Sequence, residues 1–326
     1  MINKDWLKTN KNPVTPKEFC RPADQTFLTF PEWYLVFSPD EQAQYYKKIT
    51  ATSFPFKSHT AQIWESYRII NDQIREDYEY NLGYHFMIWV IGSSATIEYS
   101  IKSWYETIIG RLTDTYYIQT DEDKFNADFT QAYVNFIKDH PWYEFNFKQQ
   151  LIKLWNTTSF YDQYFLRKLE RKYFLTSELL VKFIYGKLIG IGTQSVYEEA
   201  LPTTEVLVEG LKPDFDSTKI IKKYANQSLL IQLPRYDLFN AAIVDAAKHG
   251  AIFKEIAGNN SAILLSVLVS NIEVFNYKNT QIIFTQPIAS DPTKKRIAFA
   301  VQVKNLNSIL LELDRDKVFI EHVFDY

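Results

Sequence analysis

Apolar residues recur every three to four positions through the first part of the chain and closer to every second position in the last part. The pattern therefore predicts helices first and an alternation of strands and helices afterwards. SPDE at residues 38 to 41 carries a start signal, with Ser38 as N-cap, Pro39 at the first helical position and Glu41 closing a capping box. From there EQAQYYKKITAT reads as one helix, and further helices are expected over His59 to Tyr78, His85 to Leu112 and Thr120 to Lys138. HPW at 140 to 142 breaks the periodicity, and helices resume over Lys148–Trp155 and Tyr161–Gly192.

LPTTEVLV, from Leu201, marks the switch. SLLIQLP, AIFKEIAG, SAILLSVLVS, TQIIFTQPI, KRIAFAVQV and KVFIEHVFDY read as strands, and YDLFNAAIVDAAKHG and NLNSILLELD as amphipathic helices. Asn259 and Asn260 give a hairpin signal between two of the strands. The resulting order is β-α-β-β and then β-β-α-β, which predicts an α+β protein whose C-terminal part is a ferredoxin-like (split βαβ) sandwich. Expected domains are an extended segment over 1–25, an aromatic-rich helical domain over 26–200 and the α+β domain over 201–326.

Composition bounds the function classes. With 326 residues, 46% hydrophobic, the chain can bury an ample core, and the length prior gives about two domains. Net charge is −3 with acidic and basic residues interspersed, so no field draws a nucleic acid. A single cysteine, Cys20, excludes an internal disulfide framework and a cysteine-rich zinc site. The first twenty residues have no apolar core of the signal-peptide kind. GYHFMIWVIGSSATIEYSI, residues 83 to 101, has the length of a membrane span, but His85, Glu98 and four hydroxyl residues interrupt it. It reads as a buried helix.

Candidate chemistry is sparse. Glu32 lies among Phe27, Leu28, Phe30, Trp33 and Tyr34. With Pro31 at the first position of a short helix, Glu32 falls in the first turn, where free N–H groups and the helix dipole favour a carboxylate. A general acid with a pKa raised by apolar surroundings is the sharper alternative. On the helix from His85, Trp89 shares the histidine's face, while Glu98, thirteen residues on, lies nearly opposite. His59, Glu65, His85, Glu98 and Arg111 are the polar residues most embedded in apolar helical segments, yet none has metal-ligand spacing. No phosphate loop and no nucleophile elbow is present, and no pattern points to a cofactor. FLRKLERKYFLTSELLVKFIYGKLIGIG, residues 165 to 192, sets Arg167, Lys168, Arg171, Lys172, Lys182 and Lys187 beside an apolar stripe. That composition suits an anionic membrane surface or, equally, a core helix with a solvated basic flank.

Several motifs carry a resemblance. TFLTFPEWYLVFSPDE, FPFKSHTAQIW, GYHFMIWVIGSSATIEY, IGRLTD, PWYEFNF, LPRYDLFNAAI and the terminal EHVFDY together resemble an uncharacterised bacterial family, over Cys20 to Tyr326. The resemblance brings no activity with it. It implies membrane association, because members often carry one spanning helix just before the region matching CRPAD; here nineteen largely polar residues precede that region.

Two functions are expected from these observations. One is a non-catalytic protein at a membrane surface, binding lipid or a protein partner, with a cytoplasmic protein as the alternative location. The other is an enzyme or small-ligand binder whose polar pocket is lined by Glu32, His59, Glu65, His85, Glu98 and Arg111, with Trp33, Tyr34 and Trp89 as walls.

Overall fold

The structure, a computed structural model, describes residues 2–8, 12–159, 163–193 and 202–325. Tyr161, Leu201 and Tyr326, which bound expected elements, lie outside the described residues. The chain forms two compact units that are not contiguous in sequence. A sheet unit comprises Met1–Glu32, Gln62–Trp89 and Ala200–Tyr326, and a helical unit comprises Trp33–Ala61 and Val90–Glu199.

Helices α1 (Gln25–Tyr46), α2 (Phe56–Ile74) and α3 (Leu82–Tyr105) contribute residues to both units. They are followed by α4 (Asp121–Ile137), α5 (Phe147–Thr157) and α6 (Phe165–Thr193). Helix α1 corrects the expected start at Ser38, since it runs through both Pro31 and Pro39. Ser38 caps nothing because its hydroxyl is taken, 2.7 Å from His59 Nδ1 and 2.7 Å from the Tyr99 hydroxyl. Glu32 therefore sits in mid-helix and gains nothing from a helix end. The start of α4 is as its sequence indicates, with Thr120 and Asp123 forming a reciprocal capping box. Phe125, Phe129, Phe147, Leu154, Leu175 and Leu179 make the principal core where α4, α5 and α6 meet.

In the sheet unit the strands are β1 (Thr203–Glu209), β2 (Ile220–Lys223) and β3 (Leu229–Pro234), then α7 (Asp237–Lys248) and β4 (Ile252–Ile256). Next come β5 (Ala262–Ser270), β6 (Thr280–Pro287), β7 (Lys294–Gln302), α8 (Leu306–Arg315) and β8 (Phe319–Val323). They build two four-stranded sheets of the same order, β2-β3-β1-β4 and β6-β7-β5-β8. In each sheet the first strand is antiparallel to both neighbours, so β3 and β4 run parallel on either side of β1, joined by α7. The same holds for β7 and β8 around β5, joined by α8. Each sheet thus has two parallel strands, joined by a helix, on either side of a third, so this part of the chain mixes helices with antiparallel sheet as its sequence pattern indicates.

The expected hairpin at Asn259 is the point of departure. The chain reverses there through Ala257 and Gly258 at φ +47° and +78°, closed by two main-chain bonds between Ile256 and Asn259. Pairing stops at that bridge. The Asn259 carboxamide then binds the amide and hydroxyl of Ser261 and the carbonyl of Ala262, so β5 enters the second sheet while β4 completes the first. Gly258 also admits Cys20, whose Sγ would collide with any side chain at that position. Burial raises the Cys20 thiol pKa, which suits packing and disfavours a nucleophile.

Apolar faces of both sheets and of α7 and α8 share one core that includes Val206, Ile231, Phe253, Leu265, Phe299 and Leu310. The terminal EHVFDY motif anchors this unit. Phe324 packs on Phe30, and buried Asp325 accepts from Thr204 Oγ1 at 2.7 Å and Arg235 Nε at 3.2 Å, with Arg21 at 3.6 Å. Removing one member of such a set leaves a buried charge unpaired. Asp325→Ala is expected to lower the unfolding free energy by about 3–5 kcal/mol, read by urea denaturation.

Candidate functional site

The nine residues expected to line a polar pocket divide between the two units, with Glu32, Glu65, His85 and Trp89 in the sheet unit and Trp33, Tyr34, His59, Glu98 and Arg111 in the helical unit. Glu32 accepts a hydrogen bond from the Tyr84 hydroxyl at 2.8 Å. His59 is fully buried between Ser38 and Glu41, its Nε2 3.5 Å from the Glu41 carboxylate. Tyr34 meets the His59 ring at a tilt of 55°, and Trp33 packs on Phe37. His85 pairs with the Tyr67 hydroxyl at 2.8 Å and stacks on Tyr80. Trp89 is exposed and donates to the same tyrosine. Glu65 faces solvent. Glu98 bridges Lys102 and Lys182, each at 3.0 Å. Burial works to raise its carboxyl, but the two ammoniums outweigh that and hold it well below the usual range. Glu32, His59, His85 and Glu98 thus each meet a partner within their own unit. Arg111 borders a cleft of about 230 Å³, and His85 a smaller one of about 20 Å³.

The basic stretch also needs correction. Arg167, Lys168, Arg171 and Lys172 are buried, each meeting carboxylates that the sequence places far away. Lys168 lies 3.5 Å from Asp121 and Lys172 lies 3.9 Å from Glu122. Lys182 spans Glu98 and Glu178, and Lys187 is the exposed member of the six. Arg167, Lys168, Arg171 and Lys172 are therefore interior charges.

What they build is a charged interior. Arg167 reaches Asp123 at 2.8 Å and Glu170 at 3.2 Å, with Asp114 at 4.0 Å. Arg171 pairs with Glu106 at 2.7 Å and also with Glu170. Asp114 is further held by the hydroxyls of Thr50 and Thr52. After Tyr105 the α3 helix widens into a π-turn, Glu106–Gly110, and continues through Arg111–Thr113. Such turns re-aim side chains and often mark functional sites. This one buries Glu106 to 2% exposure beside Gly110, where any Cβ would strike the carboxylate.

Above this turn lies a cleft of about 230 Å³. One side is the start of α2, FPFKS at residues 54 to 58, and the other is Ser103, Glu106, Thr107 and Arg111. Glu106 Oε1 is held by Arg171, but Oε2 has no hydrogen-bond partner among the described residues. Burial, opposed by Arg171, raises the Glu106 pKa. Lys57 and Arg111 stand exposed at the rim.

The helical unit has a second feature. Glu98–Lys182, Lys102–Glu178 and Glu106–Arg171 pair residues whose numbers rise on α3 and fall on α6, so these helices are antiparallel neighbours. Val90, Ile97, Ile101, Trp104 and Ile108 are exposed at helical spacing, about a third of a turn from the pairing face of α3. On α6, Leu166, Tyr173, Val181, Ile184 and Leu188 are exposed, displaced by a similar angle in the same sense. Opposite chain directions bring both stripes to the same side of the helix pair. Exposures are large, 62% at Ile97, 63% at Trp104 and 66% at Val181. The segment 83–101 is thus open on one side and not the buried helix expected, and among the described residues no helix is long and apolar enough to cross a membrane.

Compared with known proteins, the chain matches no family model, no curated protein and no solved structure. Sequence reasoning missed Lys57, Ser58 and Glu106, although FPFKS carried a helix-start signal, with Pro55 just before the first turn. The π-turn had no visible signal beyond Gly110 four residues after Glu106.

Two outcomes follow from this geometry. Gly110→Ala is expected to destabilise the protein by roughly 1–3 kcal/mol through collision with Glu106, seen as a lower urea midpoint. Burial raises the Glu32 pKa above its ordinary 4.5, with the Tyr84 hydrogen bond opposing the shift. The folded state then keeps a proton that the unfolded chain releases, so this contribution to stability is present below about pH 4.5 and fades as pH rises through the folded pKa. Measured by urea unfolding across that range, Glu32→Gln should gain stability relative to the wild type with rising pH.

Proposed function

We propose that this protein works at a membrane surface, with the exposed apolar face of α3 and α6 seated in the boundary between lipid headgroups and acyl chains. The observation that carries this reading is the face itself. Soluble monomers rarely leave contiguous apolar patches larger than a few hundred Å² uncovered, and here ten large side chains on two adjacent helices point one way. Seating four of them to half their area would contribute roughly 3–6 kcal/mol. Trp104 and Tyr173 are residue types that favour the lipid–water boundary.

Electrostatics gives the reading its particular form. Five of the six basic residues of α6 are committed to ion pairs and only Lys187 among these six is exposed, so attraction to anionic lipid is a minor part of binding. The face works by apolar insertion, and it requires no chemical step.

Vesicle co-sedimentation tests this directly. Binding to neutral phosphatidylcholine vesicles is expected, changing less than about threefold between low salt and 0.5 M salt. Ile101→Asp combined with Ile184→Asp should reduce partition at least tenfold, with circular dichroism unchanged because both sites are exposed. No binding to any vesicle would overturn the reading, as would binding that requires anionic lipid and is abolished by salt. A dimer in light scattering that the same double variant dissolves would assign the face to a second copy instead.

A further inference from the structure

We infer that the cleft between the start of α2 and the π-turn of α3 binds a small phosphate ester that carries a free hydroxyl. One end of this cleft is built for an anion. Lys57 and Arg111 border it, and neither forms an ion pair among the described residues. The hydroxyls of Ser58, Ser103 and Thr107 line it without partners among the described residues. Helix α2 begins there. Pro55 O takes the amides of Ser58 and His59, and Phe54 O takes that of Phe56, which leaves the Lys57 amide without a main-chain acceptor among the described residues. A helix N-terminus with a lysine, an arginine and several hydroxyls supplies donors from several directions, which suits a tetrahedral phosphate better than a planar carboxylate.

The other end asks for a donor. Glu106 lines the cleft at 2% exposure, and its Oε2 has no partner, an arrangement that costs free energy unless something occupies it. A phosphate beside that carboxylate is disfavoured by like charge, whereas a neutral hydroxyl on the same molecule can donate to it. The volume of about 230 Å³ is below that of typical drug-sized sites and sets the scale at a few carbon atoms plus the phosphate. Glycerol phosphate has this chemistry, either as a free ester or as the headgroup of a lipid. Both sources are compatible with the location, because Thr107 and Arg111 occupy the same turns as exposed Ile108 and Leu112. The site does not rest on the membrane reading, since a free ester would bind without lipid.

The test is calorimetric titration of the full chain with sn-glycerol 3-phosphate and with inorganic phosphate, in the absence of lipid. Expected are one-to-one binding of the ester, a loss of at least tenfold in Arg111→Ala and in Lys57→Ala, and a preference over inorganic phosphate that Glu106→Gln abolishes. Both rim variants change exposed side chains, so folding is preserved. A parallel arm compares phosphatidylglycerol with phosphatidylcholine vesicles. If soluble esters fail but Arg111→Ala removes a preference for phosphatidylglycerol, the source is a lipid headgroup. Equal binding of ester and phosphate, unaffected by Glu106→Gln, overturns the two-ended site. Absence of binding in solution together with no Arg111-dependent lipid preference overturns the proposal altogether. A positive solution titration with no vesicle binding leaves the cleft standing and removes only the membrane reading.

Discussion

Arg167 and Arg171 lie one turn apart on α6 with the carboxyls of Asp114, Asp123, Glu106 and Glu170 gathered round them, and both features of the helical unit follow from that arrangement. Taking six ionisable groups out of water is costly, and attraction offsets the cost only when the geometry is good. The groups come from α6, α4 and the turn after α3, so satisfying them fixes where those segments lie. Four carboxyls against two guanidiniums leave an excess of acid, consistent with a raised Glu106. The widened turn is the backbone's part of the same solution. It delivers one Glu106 oxygen to Arg171 and leaves the other without a partner among the described residues.

With the pairing faces of α3 and α6 committed to charge, the apolar side chains about a third of a turn round each helix stay exposed. That is an inversion of the usual globular plan, in which charge faces outward and apolar surface inward. It also explains why Lys182 and Lys102 add little to the surface, being neutralised by Glu98 and Glu178. The cleft lies on the neighbouring flank of α3, so a polar ligand and an apolar surface could be engaged from successive turns of one helix.

The sheet unit has a different logic. Two copies of a β-β-β-α-β arrangement, each with its first strand between the strands that its helix connects, bury α7 and α8 in one shared core. Architecture of this kind hosts many activities and assigns none. Its own contribution is rigidity, with Asp325 tying the end of the chain to Arg235 and Thr204.

The sequence by itself determined the elements. Periodicity located six of the eight strands, the switch at LPTTEVLV that becomes β1, helices α7 and α8 and, within a few residues, α2 to α6, because side-chain alternation is a local property. It missed β2, whose four residues are too few to show a period. Start signals failed at Ser38 because a hydroxyl that could cap a helix is equally able to bind a histidine and a tyrosine brought from elsewhere. Polar candidates were legible as residues out of place, yet where each would find its partner was not. Arg167 and Arg171 read as surface charge, and only the tertiary structure decided that they are interior, since their carboxylates lie between one and sixty-five residues away. The cleft and the exposed face have the same origin. Both are made by which helix faces meet, and pairing of faces is a property of the folded chain that no local pattern encodes.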